Sequence, residues 1–328
     1  MKEKKAKLTP LLFNPILKQK LWGGNRLIEE FNKQADFDKI GESWEISDVE
    51  GDSSVVAQGP FEGQTLNALL QNYKGELVGP KIFEKFGNTF PLLIKFIDAS
   101  ENLSVQLHPD DYLAQKRHNS FGKTEMWYVV KTDDDAHLIT GFKQSCTKEN
   151  YLKALNQGKL ASILKKEPVN PGDVFFISPG LIHAIGKGTL LAEIQQTSDV
   201  TYRVYDWDRV DIDGNKRELH TDLAIDAIDF SFPIHYKISY KDKINQPIRL
   251  VENIFFTTQK LNLLDTTDFS VEIRNSFVIL IVIEGQIIIK NKQNTLRVQA
   301  GQSVLVPYQL KKEVSISTKQ ATVLHVSI

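Results

Sequence analysis

Three short segments of the sequence contain residue types that bind a metal ion in an enzyme. Gln106 and His108 lie two residues apart, Lys123 and Glu125 do the same, and His183 follows a Pro-Gly turn. Residues two apart on a β-strand point to the same face, so each of the two pairs would share a face if its segment is a strand. Two histidines and one carboxylate that reach one barrel from different strands suit a catalytic zinc ion with an open coordination position. Gln106 would add a neutral amide oxygen.

Each of these histidines also has an ordinary structural explanation. A histidine before a proline, as at His108, is common in loops and at strand ends. The His-x-His pair of many metal-binding jelly rolls is absent, because Gln106 occupies its first position. The spacing alone therefore leaves a metal site and a structural role open for His108 and His183. The other histidines have no comparable neighbours and are interpreted as structural; they are His118, His137, His220, His235 and His325.

A second group of polar residues follows His183. If residues 191–206 form one extended strand, Glu193, Asp199 and Arg203 lie on one polar face of it. Such a face is either solvated or lines a cavity. Lys95 interrupts an apolar run over residues 92–97, and we interpret it as facing a polar pocket rather than an exposed edge.

The elements that must position these residues are mostly β-strands. Short apolar runs follow one another from Phe90 to about Tyr205 and again after Pro247, and Gly and Pro turns separate them. Residues 170–179 resemble residues 299–307, since both combine a Gly turn, an apolar strand and a Pro. This weak internal repeat predicts two β-jelly-rolls.

Helical spacing of apolar residues is limited to short stretches. The pattern predicts helices over residues 25–31, 65–73, 147–164 and 221–227. We therefore predict a mainly β fold of two jelly rolls, with a small helical portion packed on the first. The predicted domains are residues 1–240, which contain all the candidate site residues, and residues 241–328, which form a metal-free jelly roll.

Composition narrows the possible partners. The 328 residues include 40 basic and 41 acidic side chains, so no surplus of positive charge indicates nucleic acid or an anionic membrane surface. Cys146 is the only cysteine, which excludes an intrachain disulfide and a Cys-rich zinc site, and we interpret it as a buried thiol. Neither a signal sequence nor an apolar stretch of 18 residues is present, so we predict a cytoplasmic protein.

Seven blocks of sequence, in their order and spacing, resemble the type I phosphomannose isomerases, which are zinc enzymes built on cupin folds. The blocks are LWGG at 21–24, IGESWEIS at 40–47, PLLIK at 91–95, QLHPD at 106–110, GKTEMWY at 122–128, PGLIHA at 179–184, and EIQQ to YRVYD over 193–206.

This resemblance implies an enzyme that interconverts mannose 6-phosphate and fructose 6-phosphate by moving a proton between C1 and C2. It implies one zinc ion per chain, and the ligands would be Gln106, His108, Glu125 and His183. The substrate cavity would contain Lys95, Lys123, Asp199 and Arg203. Within it, we expect the phosphate at Arg203 together with Lys95 or Lys123. The expected catalytic residues are Arg203, Lys123 and Asp199. The sequence does not decide which of them moves the proton, and we favour Lys123 or Asp199.

The sequence departs from the family pattern in two respects, and two other functions remain possible alternatives to the isomerase. Gly122 stands where longer members have a histidine, and their large helical domain is reduced to about residues 147–164, which indicates the short bacterial form. The alternatives are a non-catalytic double cupin that senses a sugar or metabolite, and a cupin oxygenase with iron on two histidines and a carboxylate. The polar residues that end at Arg203 favour a phosphosugar over both.

Overall fold

The computed structural model describes residues 5–210, 214–231, 236–292, 294–311 and 313–328. His235, which we interpret as structural, lies outside these residues. The described chain consists mainly of β-strands in antiparallel sheets, so the prediction of a mainly β fold is confirmed.

The strands in chain order are β1 (Leu11–Asn14), β2 (Ile16–Gly24), β3 (Ile40–Ile46), β4 (Asp48–Val49), β5 (Asp52–Ser53), β6 (Val55–Val56), β7 (Leu92–Ala99), β8 (Val105–Leu107), β9 (Glu125–Thr132), β10 (His137–Phe142), β11 (Leu164–Pro168), β12 (Val174–Ile177), β13 (His183–Ile185), β14 (Thr189–Gln196), β15 (Tyr202–Tyr205), β16 (Lys237–Ile238), β17 (Pro247–Glu252), β18 (Thr257–Ser270), β19 (Val278–Lys290), β20 (Thr295–Gln299), β21 (Ser303–Val306) and β22 (Ser315–Ser327). The helices are α1 (Arg26–Glu29), α2 (Leu66–Tyr73), α3 (Gly75–Val78), α4 (Pro80–Phe86), α5 (Asp111–His118), α6 (Lys148–Asn156), α7 (Leu160–Ile163) and α8 (Thr221–Ile225), and Tyr308–Leu310 form a 3-10 turn.

Two sheets pack against each other to form the first part of the fold. One has seven strands in the order β16-β12-β9-β14-β7-β2-β3, and the other has five in the order β11-β10-β13-β8-β15. Trp127, Phe175 and Leu191 of the first sheet share a buried core with Leu138 and Ile185 of the second. Burial of these apolar side chains holds the two sheets together.

A third, eight-stranded sheet contains most of the C-terminal part. Its order is β17-β18-β22-β19-β21-β1-β6, and β20 pairs with β19. Its core includes Val282, Ile316 and Val323. The N-terminal strand β1 belongs to this sheet, because Leu11 pairs with Leu305. Strand β1 thus links the N-terminal part of the described chain to the C-terminal sheet, and the division at residue 240 stays a prediction.

All four stretches predicted to be helical contain a helix, but the apolar spacing did not predict α3, α4 or α5. The Thr65 hydroxyl accepts a hydrogen bond from the Ala68 amide at 3.1 Å, and the Thr147 hydroxyl accepts one from the Asn150 amide at 3.3 Å, so both threonines cap helices. The single helix predicted over 147–164 is two helices, because the chain turns at Gly158 with φ +65°. No helix of the described residues has both the length and the apolar character needed to cross a membrane.

Residues 191–206 do not form one extended strand. β14 ends at Gln196 in the seven-stranded sheet, and β15 begins at Tyr202 in the five-stranded sheet. The Gln195 side chain stabilises the intervening turn by donating to the carbonyl oxygens of Gln196 at 2.8 Å and Ser198 at 2.7 Å. The chain therefore crosses from one sheet to the other between Glu193 and Arg203. These two residues do not share one strand face.

Candidate active site

His108, Glu125 and His183 meet between the two packed sheets. Glu125 begins β9 of the seven-stranded sheet, His183 begins β13 of the five-stranded sheet, and His108 directly follows β8. One Glu125 carboxylate oxygen lies 3.5 Å from His108 Nε2, and the other lies 3.5 Å from His183 Nε2. All three side chains are buried. The fold therefore brings together the three residues that the sequence suggests as metal ligands.

Hydrogen bonds to the backbone fix how the two imidazoles face the carboxylate. Nδ1 of His108 donates to the Val200 carbonyl at 3.0 Å, and Nδ1 of His183 donates to the Leu181 carbonyl at 2.8 Å. The lone pair of each Nε2 is thus free to bind a cation, as in histidines that hold a metal. Burial lowers the pKa of both imidazoles, which keeps them neutral.

Four buried atoms of this group have no hydrogen-bond partner among the described residues. They are Nε2 of His108, Nε2 of His183 and both carboxylate oxygens of Glu125. Polar atoms buried without a partner are costly, so the group is suited to a bound cation. In the part of the chain that the structure describes, no other group of three His, Cys, Asp or Glu ligand atoms is close enough to hold a metal.

Strand register places two further predicted residues beside this group. Arg203 of β15, Gln106 of β8 and His183 of β13 lie directly opposite one another across the five-stranded sheet. The Gln106 amide oxygen is 3.5 Å from the Ser104 hydroxyl, so it is only weakly engaged. Direct ligation of the metal by Gln106 stays a prediction.

The seven-stranded sheet contributes a second row of polar side chains. Trp44, Lys95, Glu193 and Trp127 lie opposite one another on β3, β7, β14 and β9. The Lys95 ammonium lies 3.4 Å from Glu193 and 3.6 Å from Glu42, and 5.0 Å from the centre of the Trp44 ring. The Trp127 indole N–H donates to Glu193 at 2.9 Å. Lys95 therefore faces a polar cavity, as predicted, with two carboxylates already beside it.

The charges around Lys95 shift its pKa and that of Glu42 in opposite directions. Burial alone would raise the pKa of Glu42, but Lys95, Lys20 and the indole N–H of Trp44 outweigh it and lower this pKa to about 2. Burial alone would lower the pKa of Lys95, but Glu42 and Glu193 outweigh it and raise it. The two groups therefore stay charged near neutral pH.

We expect Glu42→Gln to lower the free energy of unfolding by roughly 3 kcal/mol at pH 6, because one pKa unit corresponds to about 1.4 kcal/mol. A lowered carboxyl pKa stabilises the fold above the unfolded value of 4.5, and this contribution is lost as the pH falls towards 2. Urea unfolding of both proteins between pH 6 and pH 3 measures it. The exposed Glu252→Gln is the control, and a Glu42→Gln difference that does not change with pH would contradict the assignment.

A cavity of about 400 Å³ opens beside these residues. Its described lining includes five basic and three acidic side chains: Lys20, Lys95, Lys123, Arg203, Arg217, Glu42, Glu193 and Asp199. We call it the site cavity. Gln106 and His183 also line it, and Lys123 lies 3.6 Å from Glu125. Six of the eight predicted site residues thus line the site cavity, and the other two, His108 and Glu125, lie beside it.

Arg217 lines the site cavity close to Arg203, and the sequence analysis did not predict it. Arg203 and Arg217 each donate a hydrogen bond to the Ser104 hydroxyl at 3.3 Å. Burial is the main cause that lowers the pKa of Arg203, and the positive charge of Arg217 lowers it further. Arg217 lies in a polar segment without periodicity, and the basic pair that it forms with Lys216 was the only local signal.

His220, interpreted as structural from the sequence, braces this end of the cavity. Its Nδ1 accepts a hydrogen bond from the Arg203 amide at 3.1 Å, and its own amide donates to the Arg203 carbonyl at 2.7 Å. His220 also lines the site cavity. Its contacts are thus those of a residue that holds the backbone of Arg203 in place.

The glycine at position 122 is required by a close approach of the backbone. A side-chain carbon placed there would lie 2.5 Å from the backbone nitrogen of Asp111. The Asp111 carboxylate in turn accepts a hydrogen bond from the Gly122 amide at 2.8 Å. This local fold has no room for a histidine at position 122.

Comparison with known proteins identifies the family. A family model described as phosphomannose isomerase type I, catalytic domain, matches residues 11–148. The mannose-6-phosphate isomerase ManA of Bacillus subtilis is 35% identical over 305 residues, which cover 92% of this chain and 94% of that protein. The chain belongs to the type I phosphomannose isomerase family.

Further matches agree with this family. A model described as mannose-6-phosphate isomerase, cupin domain, matches residues 247–326. The probable mannose-6-phosphate isomerase GmuF of Bacillus subtilis is 41% identical over 240 residues, which are 73% of this chain and 71% of that protein. The crystal structure of the mannose 6-phosphate isomerase from Bacillus subtilis superposes with a TM-score of 0.88 at 31% identity, covering 98% of this chain and all of that one. The prediction of a cupin-type phosphomannose isomerase is confirmed.

Proposed function

We propose that the protein interconverts D-mannose 6-phosphate and D-fructose 6-phosphate in the site cavity. The observation that carries this proposal is the buried His108–Glu125–His183 group beside Lys123 and a pair of arginines, in a chain of the phosphomannose isomerase family. These residues offer a proton carrier and a phosphate-binding end in one cavity of about 400 Å³, with a metal site beside it.

The donor set fits zinc. Two neutral imidazole nitrogens and one carboxylate are a common ligand set of catalytic zinc, and Gln106 lies where it can add an amide oxygen. When bound, zinc supplies a Lewis acid that polarises the oxygens of the sugar. We infer one zinc ion per chain, because the described residues of the C-terminal sheet offer no comparable group.

Proton transfer between C1 and C2 needs a group that can take up and return a proton. Lys123 is buried, lines the site cavity and lies 3.6 Å from the Glu125 carboxylate, so its ammonium is next to the metal-binding group. Asp199 is the other candidate. It is exposed and lies in the turn between β14 and β15, the same turn whose Val200 carbonyl orients His108. This geometry favours Lys123.

The phosphate is proposed to bind at Arg203 and Arg217. Two guanidinium groups converge on one hydroxyl, and a single carboxylate of the described residues, that of Asp206, lies 3.5 Å from Arg217, so a phosphate dianion would offset the remaining positive charge. Lys95 is less suited to this role than the sequence suggested, because Glu42 and Glu193 already flank its ammonium. We propose that Lys95 instead orients the carboxylates of Glu42 and Glu193 in the site cavity.

The alternatives make different predictions for metal and turnover. An oxygenase would bind iron, and a non-catalytic sensor would bind a sugar without converting it. The arginine pair favours a phosphosugar isomerase over both. A cytoplasmic location, and the lack of nucleic-acid or membrane partners, stay predictions.

A coupled assay of the purified full chain tests the proposed function. We expect mannose 6-phosphate to be converted to fructose 6-phosphate, activity to disappear after chelation, and zinc to restore it. Unphosphorylated mannose is the matched control substrate and should react far more slowly. Zinc-loaded protein that does not convert mannose 6-phosphate would contradict the proposal.

We expect His183→Ala to lower the affinity for zinc by more than about 100-fold, since even residues that only orient metal ligands contribute 10- to 100-fold. Elemental analysis after dialysis measures the zinc content. His137→Ala is the control, because His137 lies at the start of β10 and bonds a nearby backbone carbonyl. Full zinc content in the His183 variant would show that the ion binds elsewhere.

A further inference from the structure

A second basic region lies outside the site cavity. Residues 143–166 contain six lysines and one acidic residue, Glu149, in a chain with a net charge of −1. They form the loop before α6, the helices α6 and α7, and the start of β11. This segment therefore carries a net charge of +5, whereas the rest of the chain carries −6.

A cavity of about 410 Å³ lies in this segment. Lys143, Lys153 and Lys159 line it, and none of its described lining residues is acidic. We call it the lysine groove. Its lining also includes the apolar side chains of Cys146, Ala154 and Ile163. Cys146 is buried here, as predicted.

One of the three lysines is fixed, and the other two are not neutralised. The Lys143 ammonium donates to the Ser162 carbonyl at 2.9 Å, and its amide donates to the Ile163 carbonyl at 2.9 Å. These bonds tie the loop to α7. Lys153 and Lys159 are exposed, and their ammonium groups make no ion pair or hydrogen bond with the described part of the chain. An anion is the partner that this arrangement lacks.

We propose that the lysine groove binds a small organic anion with at least two negative charges. Three ammonium groups suit phosphate or carboxylate groups, and the apolar lining suits a short hydrocarbon body. The volume is that of a small-molecule site, whereas nucleic acid requires a broad basic face. No residue of the groove lines the site cavity, so this binding is independent of the isomerase function.

Amide chemical shifts of the ¹⁵N-labelled, zinc-loaded full chain test the proposal at low salt and pH 8. The probes are inorganic phosphate and succinate. We expect each to shift the amides of residues 143–163 in a saturable manner, separately from shifts at the site cavity. If phosphate binds more tightly than succinate, the ligand is a phosphorylated compound. If succinate binds more tightly, the ligand is a dicarboxylate.

Variants decide whether the binding is specific. The double substitution Lys153→Ala with Lys159→Ala should weaken binding at residues 143–163 by about 25-fold, which is about fivefold for each lysine. Lys290→Ala with Lys319→Ala removes two exposed lysines of the C-terminal sheet and should change nothing there. Shifts that do not saturate, or that the groove variant leaves intact, would mean an adventitious ion only and overturn the proposal.

Discussion

Replacing Lys123 with methionine is expected to lower kcat by about 10²- to 10⁴-fold, the range that general acid–base groups contribute. Lys123 is buried beside Glu125 and lines the site cavity, so its amine can reach a sugar bound there. Methionine keeps most of the volume of the side chain but cannot carry a proton. We therefore expect the variant to keep its fold and its zinc while it loses turnover.

Two controls separate this role from others. Zinc content measured on the same sample shows whether the metal group has survived. Asp199→Asn is the matched variant of the rival candidate, and we expect a smaller loss because Asp199 is exposed. The assignment is wrong if Lys123→Met turns over normally, or if only the Asp199 variant is inactive.

Replacing Arg203 with alanine is expected to lower kcat/KM for mannose 6-phosphate by about 100-fold or more. Arg203 provides one of the two guanidinium groups that converge on Ser104, and loss of one leaves the phosphate with a single charged partner. Arg217→Ala should have a similar effect. The measurement is steady-state kinetics of each variant.

Unphosphorylated mannose provides the internal control for this prediction. If the arginines bind phosphate, their loss should hardly change the slow reaction of mannose, so the preference for the phosphorylated sugar should fall. Arg249→Ala removes an exposed arginine of β17 and should leave both reactions unchanged. Retention of the full preference by the Arg203 variant would place the phosphate elsewhere.

Much of the fold follows from local sequence patterns. Alternating and apolar runs predict the β-rich texture, and Thr65 and Thr147 mark the starts of helices because their hydroxyl groups cap them. The metal-binding group can also be predicted from the sequence as a candidate, since His108, Glu125 and His183 each lie at or next to a strand end.

What the sequence does not reveal depends on contacts between distant segments. Residues 191–206 have the same polar alternation whether they form one strand or two, and the turn depends on bonds of the Gln195 side chain. The pairing of Leu11 with Leu305 has no local signal at either end. Arg217 lines the site cavity next to Ser104, which is more than 100 residues away in the sequence. Tertiary structure alone assembles these features.

The most direct test of the account follows mannose 6-phosphate labelled with deuterium at C2, by NMR, with the zinc-loaded protein in ordinary water. Proton transfer through a side chain predicts that fructose 6-phosphate forms and that part of the deuterium is lost to water. Complete retention of the label in the product, with the Lys123 and Asp199 variants still active, would contradict it, because a direct hydride shift needs neither residue.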